Sequence, residues 1–185
     1  MKGKTFDSAV RLIPVLLLAG SIAWAQDSTP QSLSGVINAY STQITKNGVT
    51  TGPYEVRGPW SIKLRANGTK ASFSAALNMG ESDSWVLTQT PVSLDPAARG
   101  AHTHHITLVG GTVTQTATGF QITGTATVTL NGGPAPISPA PLTIEVTGST
   151  EVQFSNITLT FGAPADGHFG DEPLTGVVRC VKRSK

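Results

Sequence analysis

The chain has 185 residues, of which 38% are hydrophobic and only 13% charged. Three basic residues (Lys2, Lys4, Arg11) and one acidic residue (Asp7) lie in the first 25 positions, so residues 26–185 carry ten of each sign and are formally neutral. That balance speaks against a nucleic-acid face, the single cysteine Cys180 rules out an internal disulfide, and neither a phosphate-binding loop, a dinucleotide fingerprint nor a G-x-S-x-G elbow occurs.

The N-terminus reads as a cleavable signal peptide over residues 1–25. Lys2, Lys4 and Arg11 precede an apolar run from Leu12 to Ile22. Ala23-Trp24-Ala25 then sets small residues at the −3 and −1 positions before Gln26. The run is too short for a helix spanning ~30 Å of hydrocarbon, and no cysteine follows it to carry a lipid. No later stretch approaches transmembrane length. The expectation is an exported protein, periplasmic or extracellular, with no membrane span in its mature chain.

Residues 26–34 are polar and turn-rich and read as a leader. Residues 35–181 read as one β domain, all-β and antiparallel, either a β-sandwich or a β-barrel. Such a length buries about 70% of the unfolded surface. Residues 182–185 form a short basic tail. Asn47-Gly48, Asn67-Gly68, Gly110-Gly111, Asn131-Gly132-Gly133 and Gly148 mark turns. Asn67-Gly68, between residues 60–66 and 70–79, is the strongest hairpin signal.

Period-2 alternation dominates the domain. Phe73, Ala75, Leu77 and Met79 share a face, and so do Phe120, Ile122, Ala126, Val128 and Leu130, with Gly124 as a thin spot or bulge. Ten of the 30 residues from 101 to 130 are threonine, which gives strands a polar, uncharged outer face. Four prolines in 131–141 predict an extended, polyproline-like connection. The apolar parity flips at Ser155-Asn156, which predicts a bulge. Cys180, flanked by Val177, Val178 and Val181, is expected to be a buried strand residue.

One constellation carries chemistry. His102 and His104 lie in a strand-like Ala101–Leu108 segment and point the same way, with Cβ atoms ~6–7 Å apart. They share parity with Ile106 and Leu108, whereas His105 points to the other side. His168 lies in a Gly-rich acidic loop, residues 162–174, with Asp166, Phe169, Asp171 and Glu172. A loop of that length is more often functional than incidental. If it folds over the strand, His168 or one of the carboxylates Asp166, Asp171 and Glu172 would complete a site for Zn²⁺ or Cu²⁺. The same histidines could instead form a pH-sensitive cluster. Phe169 is a candidate lid or contact residue. Trp60 and Trp85 either line a ligand mouth or plug the core.

Three functions follow from these features. The leading one is a non-enzymatic binding module for a small ligand, glycan or surface partner. The second is a zinc- or copper-binding protein using His102, His104 and His168. The third is a structural subunit of a surface assembly, joined by strand addition from the 26–45 segment.

Overall fold

A computed structural model describes residues 30–41, 44–46, 49–51, 53–65, 67–81, 101–135, 137–150, 153–170 and 172–183. The signal peptide, the first residues of the leader, Trp85 and Asp171 lie outside the described residues, as does the Asn47-Gly48 turn.

Eight strands close into an antiparallel barrel: β1 (Pro30–Tyr40), β4 (Tyr54–Leu64), β5 (Lys70–Glu81), β6 (His102–Thr116), β7 (Gly119–Leu130), β8 (Ala140–Thr150), β9 (Gln153–Phe161) and β10 (Leu174–Arg183). Strands β4 to β10 follow one another around the wall, and β1 pairs with both β4 and β10 to close it. A separate two-stranded ribbon, β2 (Ile44–Lys46) and β3 (Val49–Thr51), is inserted between β1 and β4. The fold is therefore a barrel and not a sandwich. Its first strand begins at Pro30, so residues 30–34 are wall and not leader, and Leu33 is buried.

The alternation seen in the sequence decides which residues fill the barrel. Ile62, Phe73, Ile106, Ile122, Ile144 and Leu159 all point inward and are at most 1% exposed. Burying each such side chain contributes about 1.5–3 kcal/mol. An eight-stranded barrel is just wide enough for side chains to fill it. The outer wall carries exposed Lys63, Ser74, Thr107, Thr127 and Glu145. This is the reverse of a lipid-facing barrel, whose apolar band points outward.

Several turn signals resolve differently from expectation. Asn67-Gly68 does close the β4–β5 hairpin, with Gly68 at φ 66° and the Thr69 N–H donating to Asn67 Oδ1 at 3.2 Å. Gly110-Gly111 is not a turn but a bulge inside the 15-residue β6. Gly110, at φ 71°, absorbs the extra residue, so the inward set passes from Ile106 and Leu108 to Gly111. Gly124 lies across from it, and a Cβ there would come within 3.1 Å of Leu108. Gly148 likewise lies within β8, at a register shift, and not in a turn. The parity flip at Ser155-Asn156 is a bulge, with both residues exposed between buried Phe154 and Ile157.

Two further expectations are corrected. The proline-rich 131–139 connection is not extended. It curls back, with the Leu130 N–H donating to the Pro134 carbonyl at 2.9 Å and Ser138 Oγ bonded to both backbone groups of Val128. Cys180 is exposed, because the β1–β10 register slips beside it and leaves Arg179 and Cys180 consecutively outward.

The topology gathers the longer connections at one end. The β2–β3 ribbon, the 82–101 connection, the 131–139 turn and the 162–173 connection all lead from strand ends beside His102. Pro30 and Arg183 pair at the opposite end.

Candidate metal centre

The histidine end of β6 is held from both neighbouring strands. Met79 and Leu77 on β5 pair with His102 and His104, and Leu130 on β7 pairs with His104. Asn131, in a left-handed conformation at φ 50°, accepts from the Thr103 N–H with Oδ1 at 2.8 Å and donates its own N–H to the Thr103 carbonyl at 2.7 Å. Asparagine tolerates that conformation better than most residues. The Thr103 hydroxyl donates to Asn78 Oδ1 at 2.7 Å. Both backbone groups of Thr103 are thereby satisfied between the two histidines, which sets the pleat that aims them inward.

The third histidine arrives from the β9–β10 connection. Within the segment that reads as a Gly-rich loop, residues 166–169 form a one-turn helix, α1 (Asp166–Phe169). The Gly162 N–H donates to the Pro141 carbonyl, and the Ala165 N–H to the Gly162 carbonyl, which turns the chain back over the barrel end. Gly170, at φ 87°, ends the turn. Phe169 anchors it. This ring is 1% exposed, stacks on Phe161 with centroids 4.3 Å apart, and meets His104 edge-on at 5.0 Å. α1 also runs beside β2.

The result is a triangle of imidazoles. His102, His104 and His168 each offer a ligand atom, and the three atoms lie within 4.8 Å of one another. The Nε2 of His168 is 3.2 Å from that of His102 and 2.9 Å from that of His104. The rings stand edge-on or tilted, not stacked, with centroids 4.7–5.3 Å apart. His104 is 1% exposed, whereas His102 and His168 are half-buried.

The protonation chemistry of the triangle is constrained by His104. Its Nδ1 is 3.1 Å from the Thr129 carbonyl. A carbonyl only accepts, so Nδ1 carries the proton and Nε2 presents a lone pair to the cluster. Burial holds the His104 pKa down at about 4, with the neighbouring His168 and His102 adding to the depression and the Thr129 carbonyl opposing it. His104 is thus neutral, the form that binds a metal. A single proton on His168 Nε2 cannot bond well to two neighbouring nitrogens at once, whereas a cation accepts all three lone pairs. Nitrogens on one Zn²⁺, each at about 2.0–2.1 Å from it, are separated by little more than the two contacts that His168 makes here.

The remaining candidates fall outside the triangle. His105 faces outward, as its parity requires. Asp166 Oδ1 accepts from the Gly167 N–H at 2.7 Å. Glu172 is exposed. Among the described residues, no carboxylate or cysteine joins the three histidines. Phe169 is an anchor beneath the cluster and not a mobile lid. Trp60 is a core plug, 3% exposed, with its Nε1 buried and unbonded.

Two contributors were not legible in the sequence. Phe161 supports Phe169, and the Thr129 carbonyl orients His104; both depend on register across strands. No protein-family model, curated protein or solved structure matches the chain.

Proposed function

We propose that this chain is an exported metal-binding protein whose three imidazoles, from His102, His104 and His168, hold one divalent transition-metal ion. The observation that carries the reading is the convergence of three Nε2 atoms at the barrel mouth, one of them fixed as a lone-pair donor by its Nδ1 bond to Thr129. Zn²⁺ is the favoured ion, since it accepts a compact set of three nitrogens. Cu²⁺ is its main competitor, because nitrogen sites bind it more tightly in general. Export is supported by the N-terminal residues alone.

This reading gives the binding module a ligand. A small organic ligand inside the barrel is disfavoured, because Phe73, Ile106, Ile144 and their neighbours fill that space. Strand addition is disfavoured as well, because β1 is paired on both sides.

Calorimetric titration of chelator-stripped protein with Zn²⁺ tests the proposal. One ion per chain should bind, and His104→Ala should abolish the heat. Equal binding by that variant would count against it.

A further inference from the structure

We infer that the outer wall formed by β4, β1 and β10 is a docking face for an acidic polysaccharide, a linear chain bearing carboxylate or sulfate groups. The face lies outside the barrel and is independent of the metal reading.

The first argument is the placement of charge. Residues 26–185 balance ten basic against ten acidic residues, yet β1, β4 and β10 carry five of the basic ones and a single acidic one, Glu55. Register sets four of these cations in two rows. Arg57 and Lys63 on β4 pair with Asn38 and Ser32 of β1, and Lys182 on β10 pairs with Ser32 from the other side. Arg179 stands at the register slip beside Ser34 and Gly35. All four side chains are exposed. Neighbouring strands lie about 4.8 Å apart and rise about 3.3 Å per residue, so the rows are roughly 10 Å apart and the longer one spans roughly 20 Å. Glu55 contacts Arg57 and accepts from the Tyr40 hydroxyl at 3.3 Å. Among the described residues, no ion pair offsets Lys63, Arg179 or Lys182.

The second argument is the strip between the rows. Ser32, Ser34, Val36 and Asn38 alternate with the buried Leu33, Gly35 and Ile37, so β1 turns an uncharged, mostly polar edge outward. A depression of about 330 Å³ in this strip is lined by Val36, Asn38, Arg57 and Arg179 among others. Arginine forks pair bidentately with carboxylates, and the hydroxyl and amide groups of the strip suit the hydroxyls of a sugar chain. Single-stranded nucleic acid would need aromatic rings to stack its bases, and Tyr40 is the one exposed aromatic side chain on these strands. A lipid surface would need large apolar side chains that insert below its headgroups, and the apolar groups on this face are the small side chains of Val36, Pro59 and Val177.

The test is calorimetric binding of the mature protein to oligogalacturonate, dextran sulfate and neutral dextran. The variants are Arg57→Gln/Lys63→Gln, Arg179→Gln/Lys182→Gln, the combination of all four, and the control Lys70→Gln on β5. Binding of an acidic polymer but not of neutral dextran is expected, weakened by added salt. Each pair of substitutions should weaken it, the combination by on the order of 10-fold or more, and Lys70→Gln should leave it unchanged. Binding of only one of the two acidic polymers would support the face and name its anion. Near-UV circular dichroism, set by the buried Trp60, should be the same in every variant and so separates loss of the face from loss of the fold. Absence of binding to both acidic polymers, equal binding of neutral dextran, or full binding by the fourfold variant would overturn the inference. Tighter binding of a thymidine oligonucleotide or of phosphatidylglycerol vesicles would overturn it in favour of that partner.

Discussion

His104 and His168 are 64 residues apart in sequence, yet their Nε2 atoms lie 2.9 Å apart at the barrel mouth. One is fixed to the wall by β6 and the other rides on α1, so any ion between them ties the β9–β10 connection to the barrel. Binding to the folded state alone stabilises it by mass action, by about 2.7 kcal/mol at a hundredfold excess over Kd. Thermal unfolding with and without Zn²⁺ should therefore show a higher Tm for the wild type and none of that gain for His168→Ala. An equal gain in the variant would place the ion elsewhere.

The metal-free protein should lose stability in mild acid. His104 has a folded pKa of about 4 against an ordinary value of 6.5. The unfolded chain therefore binds this proton more tightly than the folded one. The contribution is fully present above about pH 6.5, declines as the pH falls toward 4, and levels off below that. A shift of this size corresponds to a loss of about 3–3.5 kcal/mol. Urea unfolding at a series of pH values reads it directly, and His104→Gln should flatten the profile between those limits.

Phe169 should matter twice over. It is 1% exposed and packs between Phe161 and His104. Phe169→Ala should destabilise the fold by about 3–5 kcal/mol through the cavity it leaves. It should also weaken Zn²⁺ binding by about 10–100-fold, the loss usual when a group that orients a ligand is removed. Chemical unfolding and metal titration of one preparation separate the two effects. Unchanged metal affinity would mean that α1 holds His168 without its anchor.

The β6 bulge offers a test of the fold alone. A Cβ on Gly111 would lie 2.5 Å from Leu108 Cδ2 and 2.7 Å from Ile122 Cγ2. Gly110 has open space around its missing Cβ but sits at φ 71°. Gly111→Ala should cost about 1–3 kcal/mol through overpacking, and Gly110→Ala about 1–2 kcal/mol through left-handed strain. Double-mutant analysis should find Gly111→Ala partly relieved by Leu108→Ala, which removes the Cδ2 nearest to the new methyl, and Gly110→Ala unaffected by it.

The contrast between these positions shows what the sequence could reveal. The inward direction of His102 and His104 was readable because strand parity is local. The bulge at Ser155-Asn156 was readable for the same reason, as a visible slip in the apolar pattern. Gly110-Gly111 and Gly148 misled because a flexible residue serves a bulge as well as it serves a turn. Cys180 misled because its valine neighbours say nothing of a register shift against β1. Closure into a barrel depends on β1 meeting β10, and no local pattern encodes that meeting. His168 could be named as a ligand but not chosen over Asp166 or Glu172, because the choice depends on how α1 docks through Phe169.

The most direct measurement is the metal content of the untagged mature protein, purified from the exported fraction without chelator, beside the double variant His102→Ala/His104→Ala. The account predicts close to one zinc or copper ion per wild-type chain and background metal in the variant. Absence of metal from the wild type, even after incubation with both ions, would contradict it and leave the three imidazoles as a hydrogen-bonded cluster at the mouth of a barrel.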